Sequence, residues 1–231
     1  MRRYMQKRYY EWSPGIAYCV GLIASDGSLS KDGRHIDLTS VDYEQLENFC
    51  EGMGRALPIS SKSKARKANE QPAYRVQFSD VAFYDFLLLV GLTPNKSKTM
   101  TRLNVPSRCY VHFLRGVFDG DGSYYGYYDK RWRSSFMFYL TITSASRPFL
   151  EFIREKNVQH LKTGIGALNI ANGAYILSYA KRDTIIIAEN MYRDASRLFL
   201  TRKRAKLEGF IREAKNAIIT PDARVVKLAD T

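Results

Sequence analysis

Apolar and polar positions along the chain switch between two periods, and the switching predicts a fixed order of helices and strands. Ser13-Pro14 has the form of a helix start, an N-cap followed by proline at the first helical position. The apolar residues behind it predict a helix running to about Asp26. Gly27-Ser28-Leu29-Ser30 begins an alternating stretch, Lys31-Asp32-Gly33 turns it, and His35 to Ser40 alternate again as the second arm of a hairpin. Asp42 is placed to cap a second helix, in which Leu46, Phe49, Cys50 and Met53 recur at helical spacing. Strands are predicted around 59–66 and 73–79, and Asp80 caps an apolar helix over 81–92.

The same order then returns: a helix over 107–121, a hairpin over 122–144, a helix over 146–159, strands near 162–170 and 174–180, and a helix over 183–193. A basic helix at about 196–217 has no counterpart in the first half. The residues repeat as well. AYCVGLIASDGSL (17–29) and HFLRGVFDGDGSY (112–124) pair Gly21 with Gly116, Asp26 with Asp121, Gly27 with Gly122 and Ser28 with Ser123. Leu38-Thr39-Ser40 then matches Ile142-Thr143-Ser144, and Tyr74 to Phe78 matches Tyr175 to Tyr179. Three matches in one order mean a duplicated unit. The fold class predicted is α+β: two pseudo-symmetric αββαββα half-domains packed through their first helices, each with a four-stranded antiparallel sheet. The expected boundaries are a half-domain over 1–94, a polar, Pro-broken linker over 95–106, a half-domain with the basic terminal helix over 107–220, and a frayed tail over 221–231.

Both first helices carry interior glycine, at a cost of about 1 kcal/mol relative to alanine. Ala17, Gly21 and Ser25 share one face, as do Gly116 and Gly120, and such small-residue stripes let two helices approach closely. Pairing them brings Asp26 and Asp121 together at the helix ends, each followed by glycine as suits a sharp turn. A carboxylate there faces the negative end of the helix dipole, at a cost of about 0.3–1 kcal/mol, and two of them repel. Protonation, or a hard divalent cation bound through oxygen, relieves both problems.

Charge narrows the partner. Thirty-six Lys and Arg against 23 Asp and Glu leave +13 on 231 residues, which calls for a polyanion. No apolar run approaches the roughly 18–20 residues of a membrane span. MRRYMQKRYYEW lacks the pattern of a secretory leader. Cys19, Cys50 and Cys109 are too scattered for a disulfide framework or zinc site, so an intracellular protein with reduced thiols is expected. His35, His112 and His160 show no metal-ligand spacing. Asp119 to Ser123 begins like a calcium loop, but Tyr124 stands where glycine is needed.

Alternation divides each predicted strand into two faces. Leu29, Ile36, Leu38, Val76 and Phe78, with Tyr124, Leu140, Ile142, Leu177 and Tyr179, are assigned to the core. The opposite face carries Ser28, Ser30, Arg34, Asp37, Thr39, Lys62, Lys64, Arg66, Arg75 and Gln77 in the first half. In the second it carries Ser123, Tyr125, Tyr127, Arg131, Arg133, Tyr139, Thr141, Thr143 and Ser178. Such side chains can hydrogen-bond base edges from a β-ribbon in the major groove. The basic residues Arg2, Arg3, Lys7, Arg8, Lys203, Arg204 and Lys206 are expected to meet phosphates.

Gly21-Leu22-Ile23-Ala24-Ser25-Asp26-Gly27 and Gly116-Val117-Phe118-Asp119-Gly120-Asp121-Gly122 resemble the two signature segments of the LAGLIDADG homing endonucleases. The doubling resembles the single-chain, pseudo-symmetric members. The resemblance implies two DNA-binding sheets forming a saddle, with Asp26 and Asp121 as catalytic metal ligands. The earlier acidic position, Asp119 in one copy and Ala24 in the other, is not usually a ligand. A lysine near each active centre is implied at Lys96 and Lys203, with Lys98 and Arg202 as competitors. The implied cofactor is Mg²⁺, with Mn²⁺ as a substitute and Ca²⁺ supporting binding without cleavage. The implied partner is double-stranded DNA with a long pseudo-palindromic or asymmetric site, bound by a monomer, with host intron RNA as a further partner. Two readings follow: an intron-encoded endonuclease making double-strand breaks, or a non-cleaving binder acting as an RNA maturase or DNA-binding regulator. Retention of both motif aspartates favours the first.

Overall fold

The computed structural model describes residues 9–63, 72–131, 135–193 and 197–219. In chain order the first half comprises α1 (Pro14–Ser25), β1 (Gly27–Leu29), β2 (His35–Ser40), α2 (Tyr43–Gly52), β3 (Ile59–Ser63), β4 (Ala73–Ser79) and α3 (Val81–Val90). A short α4 (Lys96–Thr99) follows. The second half comprises α5 (Tyr110–Asp121), β5 (Gly122–Tyr128), β6 (Phe136–Ser144), α6 (Arg147–Lys156), β7 (Ala167–Ala171), β8 (Ala174–Ala180) and α7 (Lys181–Tyr192), closed by α8 (Thr201–Ile219).

Local chemistry explains most of these boundaries. Ser13 caps α1 by accepting the Ile16 amide at 3.2 Å, with Pro14 at the first helical position. Asp80 caps α3 through the Phe83 amide at 3.0 Å, and Gly91, at φ 105°, ends that helix in the left-handed region. Asp42 makes no such cap; its carboxylate is taken by Arg202 instead. α6 runs into a single π turn at Asn157–Leu161, and β7 starts at Ala167, later than the pattern of polar and apolar residues suggested.

The two antiparallel sheets have matching orders, β1-β2-β4-β3 and β5-β6-β8-β7. Each motif helix therefore feeds directly into an edge strand, α1 into β1 and α5 into β5. All ten side chains assigned inward from the alternation are buried, from Leu29 and Ile36 to Leu177 and Tyr179. They share one core with α1, whose residues Ile16 to Ala24 are buried without interruption. A helix that is apolar all round is stable only where protein surrounds it. Here the surround is α5, α2 and the first sheet.

The segment between the halves is not a free polar linker. Leu92, Met100, Leu103 and Val105 are buried, the Ser146 hydroxyl donates to the Met100 carbonyl, and Arg102 pairs with Glu155 at 2.5 Å. The segment before α8 makes the reciprocal crossing. Asn48 donates to the Phe199 carbonyl at 2.9 Å, and the Thr201 amide donates to Glu44 at 3.1 Å. Each half is thus strapped down by the chain leaving the other. α8 then lies under the second sheet, with Phe210 edge-on to Phe136 at 5.5 Å. Cys19, Cys50 and Cys109 are free thiols. No helix among the described residues is long and apolar enough to cross a membrane.

Candidate active site and nucleic-acid interface

The small residues of α1 and α5 do what their spacing predicts. A Cβ added to Gly21 would lie 2.2 Å from the Phe113 carbonyl oxygen, and one added to Gly116 would lie 2.1 Å from that of Tyr18. A Cβ on Gly120 would meet the Ser25 hydroxyl at 1.9 Å and an Asp26 carboxylate oxygen at 2.9 Å. Ala17 is fully buried. Backbone therefore meets backbone along the helix pair, and its last turns bring Asp26 and Asp121 into one neighbourhood. The glycines after them serve a different purpose from the one their position suggested. Gly122 has φ −89°, which any residue adopts; a Cβ there would strike Phe118 at 2.1 Å, as one on Gly27 would strike Ile23 at 2.6 Å.

Asp26 follows the last residue of α1, and Asp121 is the last residue of α5. Both are open to solvent. Even so, the protein on either side removes enough water to push both carboxyls up. For Asp121 the nearby Asp26 charge adds to desolvation and carries it to about 6, against the pull of Lys96 and Lys203. Asp26 is raised by desolvation and held back first by a hydrogen bond from Gln45, whose Nε2 donates at 2.7 Å. Gln45 is itself buried and fixed by the Ser40 hydroxyl at 2.7 Å. No feature of the sequence marked Gln45, because its counterpart on α6 is not polar.

The lysines are the largest departure. Lys96 and Lys203 are 4% and 5% exposed, and both amines end on helix-terminal carbonyls. Lys96 Nζ donates to the carbonyls of Ala24 at 2.7 Å and Ser25 at 3.1 Å, at the end of α1. Lys203 Nζ donates to those of Phe118 at 2.6 Å, Asp119 at 2.8 Å, Gly120 at 3.4 Å and Gly122 at 2.6 Å, at the end of α5. The unfavourable helix-end dipole is thus met by a buried cation in each half, a remedy in addition to protonation or metal. Desolvation lowers both amines to about 8. Sequence placed these lysines among the catalytic groups, and Lys203 also among phosphate contacts; burial removes the second role. Arg202 is occupied by Asp42.

Asp119 is buried between the halves. One oxygen accepts from the Tyr18 hydroxyl at 2.7 Å and from the Leu200 amide at 3.0 Å, while the other has no hydrogen-bond partner. Burial raises it to about 6. Its position, sealed away by Tyr18, is that of a structural tie rather than a ligand. Arg115, also buried, joins it by donating to the Leu198 carbonyl at 2.6 Å. A charged residue inside an apolar motif helix was a visible signal for this tie.

No protein-family model and no curated protein matches the chain. Solved structures do. Full-length DUF199/WhiA from Thermatoga maritima aligns with a TM-score of 0.58 at 15% identity, over 94% of this chain and 65% of that one, so this chain spans less than two thirds of that protein. The I-LtrWI LAGLIDADG homing endonuclease bound to target DNA gives 0.57 at 12% identity, over 90% and 91%. The LAGLIDADG meganuclease I-AabMI bound to uncleaved DNA gives 0.57 at 13%, over 90% and 92%. The chain has the LAGLIDADG fold.

Several of the residues assigned outward by alternation share the outer faces of the two sheets, and others lie beyond the strand ends. On the first, Ser28, Asp37 and Gln77 stand in one row and Thr39, Arg75 and Ser60 in the next. Arg75 donates through Nε to Asp37, and Lys62 donates to the Thr39 hydroxyl at 3.1 Å. Ser30 and Arg34 are exposed at the hairpin, where Arg34 lies 3.7 Å from Asp32. On the second sheet Ser123, Thr141 and Ser178 form one row, and Tyr125 faces Tyr139 in the next. Thr143 is half-buried, Tyr127 is exposed, and Arg131 folds onto Asp129 at 3.2 Å. Thr141 departs from expectation. It is 8% exposed because neighbouring side chains cover it, with its hydroxyl 2.9 Å from that of Ser123. Lys64, Arg66, Arg133, Arg2, Arg3, Lys7 and Arg8 lie outside the described residues, as does the side chain of Lys98. Arg204 stacks on Phe199 at 4.9 Å, and Lys206 lies over Phe210 at 5.7 Å.

Proposed function

We propose that the protein is a site-specific, metal-dependent DNA endonuclease that cuts both strands of a long duplex site. The observation that carries this reading is the pair Asp26 and Asp121, brought together by the two motif helices and water-accessible, both raised in pKa by desolvation, with the Asp26 charge adding to the rise at Asp121. Two carboxylates that repel at the mouth of a +13 protein form a hard oxygen donor set that suits Mg²⁺ with waters completing its shell. Asp26 and Asp121 would hold the ion, which when bound supplies activation of water and charge stabilisation at phosphorus.

The remaining roles belong to the chain itself. Gln45 orients Asp26, and the Lys96 and Lys203 charges favour the ionised carboxylates while fixing the helix ends. The sheets set duplex register, through Arg75 and Gln77 on one side and the tyrosines on the other. Structures with this fold that carry DNA, I-LtrWI and I-AabMI, support a DNA partner. A non-cleaving binder on the same scaffold is the second reading, favoured by one observation: both lysine amines are engaged by backbone carbonyls. Selection of cleavable duplexes from a randomised library in Mg²⁺, with Asp121→Asn as the blank, separates the two. Cleaved sequences specific to the wild-type chain support the nuclease; bound but uncut duplexes support the binder.

A further inference from the structure

The two outer sheet faces differ in chemistry. On the first, Asp37 holds the Arg75 guanidinium by Nε, and its two terminal nitrogens have no hydrogen bond among the described residues. Gln77 stands exposed beside it. A forked donor and an amide suit guanine and adenine edges. The second face is built from tyrosine. Tyr139 stacks on Tyr125 at 4.9 Å and 9° and on Tyr127 at 6.0 Å and 11°, giving one three-ring ladder across β5 and β6. Hydrogen bonding to Tyr127 and desolvation raise Tyr139 to about 12, so its hydroxyl keeps its proton at neutral pH.

A cleft of about 440 Å³ opens beside this ladder, with Ala167, Ser178 and Ala180 along β7 and β8, and Asn169 and Asp183 at its polar side. No lysine or arginine lines it among the described residues. Tyrosine rings and alanine methyls make apolar contact, which thymine meets with its C5-methyl group. On the strand it faces, the Asp183 carboxylate would accept from the exocyclic amine of a cytosine or adenine and repel the two acceptors of a guanine edge. Rings locked against each other also lose little side-chain freedom on binding.

We propose that the two sheets read their half-sites by different chemistry: the first by donors directed at guanine and adenine, the second by the Tyr125–Tyr139–Tyr127 ladder and its cleft, which select thymine methyls and reject guanine. This rests on the DNA-binding reading above and makes the target asymmetric in composition.

The test is binding, not cleavage. Duplexes are selected by the full chain in Ca²⁺, and the half under each sheet is identified with Arg75→Ala and Tyr125→Thr. Thymines in the second half are then replaced singly by deoxyuridine, which removes only the methyl. The expected result is about fourfold weaker binding per contacted thymine, the factor for burying one methylene-sized group. That sensitivity disappears in Tyr125→Thr, and Asp183→Asn, which leaves the ladder intact, admits guanine in the second half. Guanine as frequent on the strand facing the second sheet as on the strand facing the first, with no effect of deoxyuridine, overturns this inference while leaving DNA binding intact. Failure to select any duplex overturns the DNA-binding reading, and this one with it.

Discussion

Gly21 and Gly116 meet across the helix pair so closely that a Cβ on Gly21 would sit 2.9 Å from the Gly116 Cα. The obstacle to either side chain is backbone, which cannot swing aside. Gly116→Ala and Gly21→Ala should each destabilise the protein by about 3 kcal/mol or more, at the upper end of overpacking effects. Gly120→Ala should cost less, because its first obstacle is the Ser25 hydroxyl. Urea denaturation of the three variants checks the ranking, and equal stabilities would mean that the helices are less tightly paired than described.

Removing a buried amine strands the carbonyls it serves, at about 1–3 kcal/mol. Lys203 serves four carbonyls and Lys96 two, so Lys203→Met should be the more damaging substitution. Both amines titrate near 8 in the folded chain against 10.5 without the fold. Between those values the unfolded chain binds more protons, so their contribution to stability rises with pH. Thermal melts from pH 8 to 10 should show this contribution in wild type and its loss in the double Met variant.

Much of this arrangement was legible beforehand because it rests on periodicity. Alternation alone sorted Leu38 from Thr39 and Leu140 from Tyr139, and the glycine stripes announced the helix pair. Contacts between segments distant in sequence left no such trace. Asp42 reads as a cap, yet Arg202 claims it; Gln45 reads as an ordinary helix residue, yet it holds Asp26. The residues of 95–106 look like a linker because Asn95, Lys96, Ser97, Lys98 and Thr99 make its start polar behind Pro94, while Met100, Leu103 and Val105 bury it. Lys96 and Lys203 were singled out by the family resemblance alone, and the carbonyls they bind follow only from the way the chain returns to the helix ends.

Asp121 is raised from 3.8 to about 6 in the fold, so the folded chain carries an extra proton between those values. Its contribution to stability therefore falls as pH rises through that window, the reverse of a salt-bridged carboxylate. Without divalent cations Asp121→Asn should melt no lower than wild type at pH 7.5. Mg²⁺ should raise the wild-type melting temperature at pH 7.5 and lose that effect at pH 5, with no response in the variant. Differential scanning calorimetry reads all of these.

Gln45→Leu removes the hydrogen bond that lowers the Asp26 pKa. Its Mg²⁺-dependent cleavage should need a higher pH than wild type, with Gln45→Glu no substitute because it adds a third carboxylate. The pH–rate profile distinguishes this from simple unfolding, which would lower the rate without moving the profile.

On the proposed function, Asp26 and Asp121 together make one cation-dependent cutting centre. Its most direct test is cleavage of a selected duplex in Mg²⁺ by wild type, Asp26→Asn and Asp121→Asn, with binding measured in parallel. Wild type should break both strands, while each variant binds with similar affinity and makes no double-strand break. Double-strand cutting retained in either variant, or absent from a wild type that binds the duplex, would contradict it.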